Sequence, residues 1–244
     1  MNDTLKYGQM TGQKSSKIVL IHSGVEGKTM PRTKLTPTKV ALAIGVSDSS
    51  MKRWCDRGLI HFHTTAGGHR RITQSSVIEF LRSTEHRLVR PELLGLPEGI
   101  RGEAMDLGIA SREFLAATLD NRVEDARKIL FAAYLSGHKL STIGDEVITP
   151  CFSEIGKQWQ CDQLEVYRER RACELTLQLL AELKALLPDP PETSPLAIGG
   201  APEQDIYSLP TTLIDMVLQE NGWRTQSLGT LLPFSTLAAA AWEQ

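Results

Sequence analysis

Apolar residues fall into two periods along this chain, and the change of period marks its parts. Between residues 103 and 187 they recur three to four apart, which predicts four amphipathic helices at about 104–119, 123–136, 140–159 and 164–187. The second is the clearest: Val123, Ala126, Leu130, Ala133 and Tyr134 form one stripe, and Gly137 stops it. Upstream the elements are shorter. Thr36-Pro37 reads as an N-cap followed by proline in the first turn, with Val40, Ala41 and Ile44 facing inward and Gly45 ending the helix. Ser47 then caps a second helix with Asp48 on its dipole, Val46 and Met51 as a hydrophobic staple, and Gly58 as its stop. Residues 59–63 and 69–72 read as two strands around a Gly67-Gly68 turn, and Thr73 caps a last helix at 75–81. Downstream, 196–198 and 223–228 are strand-like and flank a helix at 211–221, which is a βαβ opening of the doubly wound kind.

Breakers separate these groups. Residues 1–34 are polar and read as a mobile tail, with Met30 a candidate alternative start that an intact-mass measurement would test. Pro91, Gly95, Pro97, Gly99 and Gly102 interrupt any helix after Ser83, and four prolines between Pro188 and Pro195 predict an extended spacer. The expected organisation is a tail (1–34), a small basic domain (35–84), a linker (85–102), a four-helix bundle (103–187), a Pro-rich linker (188–195) and a partial α/β segment (196–244). The fold class is mainly α with a truncated Rossmann-like end. A doubly wound domain needs about five strands to cover its sheet faces, and only two fit before Gln244. Trp223, Leu231, Phe234 and the run Ala238 to Ala241 are expected to be partly uncovered. The half-domain packs on something else, is vestigial, or belongs to a fragment.

Charge sharpens this division. The net charge is −2, yet residues 1–90 carry 15 Lys plus Arg against 6 Asp plus Glu, and residues 91–244 carry 12 against 23. A basic head on an acidic body is what a nucleic-acid-binding regulator shows, the plainer alternative being a solvated basic tail. No apolar run approaches the roughly 18 residues of a membrane span, and Ile18 to Ile21 is too short for a signal-peptide core, so a cytoplasmic protein is expected. Cys55, Cys151, Cys161 and Cys173 have neither zinc-ligand nor disulfide-scaffold spacing. No nucleophile-base pair or phosphate loop points to an enzyme.

In the basic domain, two short helices joined by a tight turn make a helix-turn-helix. Met51, Trp54 and Cys55 lie on the inner face of its second helix, so Trp54 is expected to be structural. Ser49, Ser50, Lys52, Arg53 and Arg57 are candidates for the DNA-facing surface, and His69, Arg70 and Arg71 for a hairpin wing that grips phosphates. The combination Thr36-Pro37, Gly45-Val46-Ser47, Lys52-Arg53-Trp54, Gly58-Leu59-Ile60 and Gly67-Gly68-His69-Arg70-Arg71-Ile72 resembles the winged helix-turn-helix of the MerR and excisionase superfamily over about 48 residues. That resemblance implies double-stranded DNA as partner and self-association on paired half-sites.

The body carries a second resemblance. Trp159, nine intervening residues, then Glu169-Arg170 is similar to the Trp, nine residues, Glu, His pattern of the helical cap over cobalamin in methionine synthase and MerR-type photoreceptor repressors. The resemblance implies that Trp159 and Glu169 border an upper axial group; by itself, Trp159 would read as a core aromatic. Fifteen residues before Gly222, Asp205-Ile206-Tyr207-Ser208-Leu209-Pro210 stands where that family has Asp-x-His-x-x-Gly. Asp205 is kept, but Tyr207 replaces the cobalt-ligating His and Pro210 the glycine that lets the corrin approach. A phenol with a pKa of about 10 is a poor substitute for imidazole. The expectation is a regulator without cofactor, having lost His-ligated cobalamin. The rivals are a regulator still holding a corrinoid or another tetrapyrrole through its bundle, and a corrinoid carrier for methyl transfer.

Overall fold

The computed structural model describes residues 34–84 and 86–242. The expected tail, with Met30, lies outside the described residues apart from Lys34.

The head follows its local signals closely. Strand β1 (Lys34–Leu35) leads to α1 (Pro37–Ile44), where Thr36 Oγ1 accepts from the Lys39 N–H at 3.2 Å and Gly45 closes the helix with φ +77°. Helix α2 (Asp48–Asp56) begins with Ser47 Oγ accepting from the Ser50 N–H at 3.2 Å. Strands β2 (Phe62–Thr64) and β3 (Arg70–Thr73) form the hairpin, antiparallel with Phe62 opposite Ile72 and Thr64 opposite Arg70. The first wing strand starts three residues later than its apolar pattern suggests, because the Gly58 and Leu59 N–H groups bond the Cys55 and Trp54 carbonyls and spend that stretch closing α2. Lys34, expected in the tail, instead pairs with Thr73, so β3 lies at the centre of a three-stranded sheet. Helix α3 (Gln74–Ser83) follows, with Thr73 as its cap.

Residues 85–102 were expected to be a linker, and from His86 onward they are a packed strap. The Val89 and Arg90 N–H groups both bond the Ala43 carbonyl, at 2.9 and 3.0 Å, and Gln74 Nε2 donates to the Leu94 carbonyl at 2.6 Å. Leu88, Leu94, Leu96 and Ile100 are buried within the same hydrophobic cluster as the head and the bundle. The prolines and glycines that exclude a helix do not exclude docking: Pro91 opens a 3-10 turn (Pro91–Leu94) and Gly95 ends it, which aims the leucines at α1.

Helices α4 (Leu107–Leu119), α5 (Val123–Leu135), α6 (Leu140–Ile143), α7 (Thr149–Gln160) and α8 (Val166–Lys184) build the bundle around Phe114, Leu130, Phe131 and Leu179. Helix α4 starts at Leu107 because Asp106 caps it, its Oδ1 accepting from the Ile109 N–H at 2.8 Å. The single helix expected at 140–159 is divided by a π-turn at Gly144–Ile148. Pro150 supplies the reason, since its ring has no N–H for the preceding turn and crowds that turn's carbonyl; widening to π geometry relieves both.

Past the proline-rich segment, β4 (Leu196–Gly199) and β5 (Arg224–Ser227) pair in parallel, Leu196 opposite Arg224 and Gly199 opposite Ser227. Helix α9 (Leu209–Glu220) crosses between them and buries Leu209 and Met216 within the core cluster that includes the bundle. The fold is therefore mainly helical with a short α/β end. Helix α10 (Phe234–Trp242) buries none of its residues, and Leu231, Phe234 and Trp242 are exposed, as two strands alone predict.

Candidate nucleic-acid interface and body cavity

On α2, Ser49, Lys52, Arg53 and Arg57 are exposed and Ser50 is half-buried. The two serines also serve the cap: Ser49 Oγ and Ser50 Oγ lie 2.9 and 3.0 Å from Ser47 Oγ, and Arg53 Nη2 reaches Ser50 Oγ at 3.5 Å. Lys52, Arg53 and Arg57 form no ion pair with a described residue.

The wing arginines differ from one another. Successive strand residues face opposite sides, and Ile72 is buried, so Arg70 shares the inward face and Arg71 the other. Arg70 Nη2 pairs with Asp56 Oδ1 at 2.6 Å, and its guanidinium lies 4.6 Å from the centre of the Phe62 ring. It ties the wing to the end of α2, which sets Arg70 apart from Arg71 and His69 among the wing candidates. Arg71 is half-buried, its Nη1 donating to the Arg70 carbonyl at 3.1 Å. His69 is exposed, its N–H bonding Thr65 Oγ1 at 3.2 Å in the turn. Trp54 is half-buried and packs on Phe80 and His86, each ring centre 4.7 Å away, consistent with a structural part.

The body holds a cavity of about 320 Å³ between α7, α8 and the start of α9. Phe152, Ile155 and Trp159 line it at spacings of three and four on α7; Val166, Glu169, Arg170 and Cys173 do the same on α8. Tyr207, Leu209 and Pro210 close the third side. Four of the five body residues singled out in the sequence thus meet at one cavity: Trp159, Glu169, Arg170 and Tyr207. Asp205 stands behind them, its Oδ1 accepting from the Tyr207 N–H at 2.9 Å in a turn that presents the phenol.

Glu169, Arg170 and Cys173 satisfy one another on the polar side of the cavity. Arg170 Nε lies 3.4 Å from Glu169 Oε2, its guanidinium is 5.0 Å from the centre of the Tyr207 ring, and the Cys173 thiol donates to Glu169 Oε1 at 3.4 Å. Burial, reinforced by Glu169, pushes the Cys173 thiol up to about 12. Burial and then Glu169 also raise the Tyr207 phenol, with Arg170 opposing. At neutral pH both stay protonated. The lining offers phenol, guanidinium, carboxylate and thiol but no imidazole, and the described residues contain no cluster of three or more His, Cys, Asp or Glu suited to a metal. This donor set does not fit a His-ligated cobalt.

A second junction, absent from the sequence reading, joins head to body. Arg82, in the last turn of α3, donates to the carbonyls of Tyr134 and of His138, the latter at 3.0 Å, and pairs with Glu220 Oε1 at 3.1 Å, its guanidinium 3.8 Å from the centre of the Tyr134 ring. Glu220 Oε2 accepts from the Leu140 N–H at 2.8 Å. Arg82 and Glu220 are 138 residues apart, beyond the reach of any local pattern.

Among solved structures, the chain is similar to the monomethylamine corrinoid protein of Methanosarcina barkeri, at 15% identity and a TM-score of 0.48, over 57% of this chain and 65% of that one. It is also similar to the methanol:cobalamin methyltransferase complex of the same organism (14%, TM-score 0.31, 58% of this chain and 54% of that one). A third is a cobalamin-binding protein of Desulfitobacterium hafniense DCB-2 (13%, TM-score 0.30, 57% of this chain and 65% of that one). The chain therefore spans less than two thirds of each of these proteins. No curated protein matches it. Residues 35–85 match the family described as a helix-turn-helix domain, and the capped helices α1 and α2 with their Gly45 turn are that motif in three dimensions.

Proposed function

We propose that the protein is a sequence-specific, double-stranded-DNA-binding transcription regulator without catalytic activity, whose body acts as a sensor and does not take His-ligated cobalamin. The observation that carries the first half is the helix-turn-helix match at 35–85 together with exposed Ser49, Lys52 and Arg53 on its second helix. In this reading α2 enters the major groove while Arg71 and His69 of the wing meet the backbone. Arg57 and Ser50 flank the contact, and Arg70 holds the wing in place. In this reading the domain boundaries are those expected from the sequence, with residues 86–102 assigned to the head and bundle they pack against. A single helix-turn-helix unit reads one half-site, so self-association on paired half-sites completes the proposal. No helix among the described residues is long and apolar enough to cross a membrane.

Selection of bound duplexes from a random library at two salt concentrations tests DNA recognition; failure to enrich any sequence would refute it. Adding aquocobalamin to the purified protein tests the second half. No stoichiometric uptake with a nitrogen-ligated spectrum is expected, and such a spectrum surviving Tyr207→Phe would overturn the reading. Uptake without nitrogen ligation would favour the rival in which the bundle alone holds a corrinoid.

A further inference from the structure

Three exposed apolar side chains gather at one place on the body. Trp159 is 50% exposed, Val166 44% and Tyr207 43%, and all three line the cavity. Such clustering at a concave surface marks a binding site more often than scattered exposure does. A volume of about 320 Å³ sits at the lower end of the roughly 300–1,000 Å³ range of small-molecule pockets. The Trp159 and Phe152 rings offer stacking surfaces. Glu169 and Arg170 neutralise each other across 3.4 Å, so a charged guest would leave one charge unbalanced in a partly apolar site. The Tyr207 hydroxyl makes no hydrogen bond to a described residue, which leaves one polar point for a guest.

Helix α9 links this cavity to the head. Leu209 and Pro210 at its first turn line the cavity, and Glu220 at its last residue holds Arg82 of α3. Twelve residues at about 1.5 Å each make a rod of about 18 Å. We propose, resting on the sensor reading of the body, that the cavity binds a small uncharged aromatic of two or three fused rings with one hydrogen-bonding edge, and that α9 carries its occupancy to the head through Glu220 and Arg82.

The test uses the full chain without DNA, so that failure of DNA recognition and failure of this site are read separately. Acridone and lumichrome serve as neutral probes, with naphthalene-2-sulfonate and N-methylacridinium as charged controls, in calorimetric titrations. At least one neutral probe should bind one-to-one. Gly156 lies in α7 with open space where a Cβ would be, so Gly156→Leu fills the cavity without a clash at that atom. It should cut probe affinity at least about tenfold while the melting temperature holds or rises, because glycine is the poorer helix former. Trp159→Leu should weaken binding as well. Hydrogen exchange in the last turn of α3 should change about fivefold on probe binding, in the same direction as Glu220→Gln alone produces, and the probe should have no further effect in that variant. No saturable neutral binding, equal binding of the charged controls, or unchanged affinity in Gly156→Leu overturns the site. An undiminished probe effect in Glu220→Gln, or none in the wild type, overturns the α9 route.

Discussion

Replacing Glu220 with Ala removes one acceptor from Arg82 and the only described acceptor of the Leu140 N–H. Both charged side chains are largely buried, at 17% and 14% exposure, so water cannot fully replace what is lost. A charge-assisted hydrogen bond contributes about 1.5–3 kcal/mol, and an orphaned buried N–H costs about 1 kcal/mol or more. Losing one partner of a fully buried ion pair costs about 3–5 kcal/mol. Arg82 keeps the Tyr134 and His138 carbonyls and the Tyr134 ring, which hold the expected loss to about 3 kcal/mol at the lower edge of that range. At about 2–4 °C per kcal/mol for a chain of this size, the melting temperature should fall by about 6–12 °C. Urea unfolding followed by circular dichroism gives the free energy directly. Adding Arg82→Leu and the double variant Arg82→Leu/Glu220→Ala closes a cycle whose coupling should be about 2 kcal/mol, within the 0.5–3 kcal/mol typical of contacting residues. A Glu220→Ala protein within about 0.5 kcal/mol of wild type, the ordinary surface range, would refute the clamp.

The remaining predictions concern the head and the thiols. Arg71→Ala should lower the slope of log K against log salt by about 1, and Arg70→Ala by much less, because Asp56 already neutralises Arg70; equal slope losses would return Arg70 to the phosphates. Arg53→Ala should change preference at one base pair by about 1–3 kcal/mol, read from selected sequences, whereas a uniform loss across all sequences would make it a backbone contact. Trp54→Ala should destabilise the head by about 2–3 kcal/mol, less than the 3–5 kcal/mol of a fully buried tryptophan because the ring is half-buried; a stable variant that loses only DNA affinity would contradict its structural role. In a thiol-reagent assay of the native protein at pH 8, Cys161 should react first, since Cys55, Cys151 and Cys173 are buried and burial pushes Cys151 up to about 11 and Cys173 to about 12. For these two the folded state favours the protonated thiol, so their contribution to stability is full below the unfolded thiol range and is lost as pH climbs toward 11 and 12.

Much of this protein was legible from residues a few places apart. Caps at Thr36, Ser47 and Thr73 and the left-handed Gly45 act within one or two helical turns, so the order of neighbours alone determined where the head helices begin and where α1 ends, and three-to-four spacing identified the bundle's segments as helical without fixing all their bounds. Trp159 and Glu169 were reached through the resemblance of their spacing to the cobalamin cap, since periodicity alone reads Trp159 as a core aromatic, and the packing of α7 on α8 brings both to one cavity. What needed the tertiary structure lies between segments. Breakers in 85–102 identified irregular backbone, but only packing against α1 turned it into a strap, because Leu88 and Leu94 need a partner surface that no local rule names. Arg70 and Arg71 are chemically alike in sequence, and the strand's two-residue period together with the position of Asp56 separates them. The contact of Arg170 with Tyr207 and the clamp of Arg82 by Glu220 join groups 37 and 138 residues apart. Such pairs form when helices pack and exclude water from the charges between them, and one-dimensional spacing carries no record of that event.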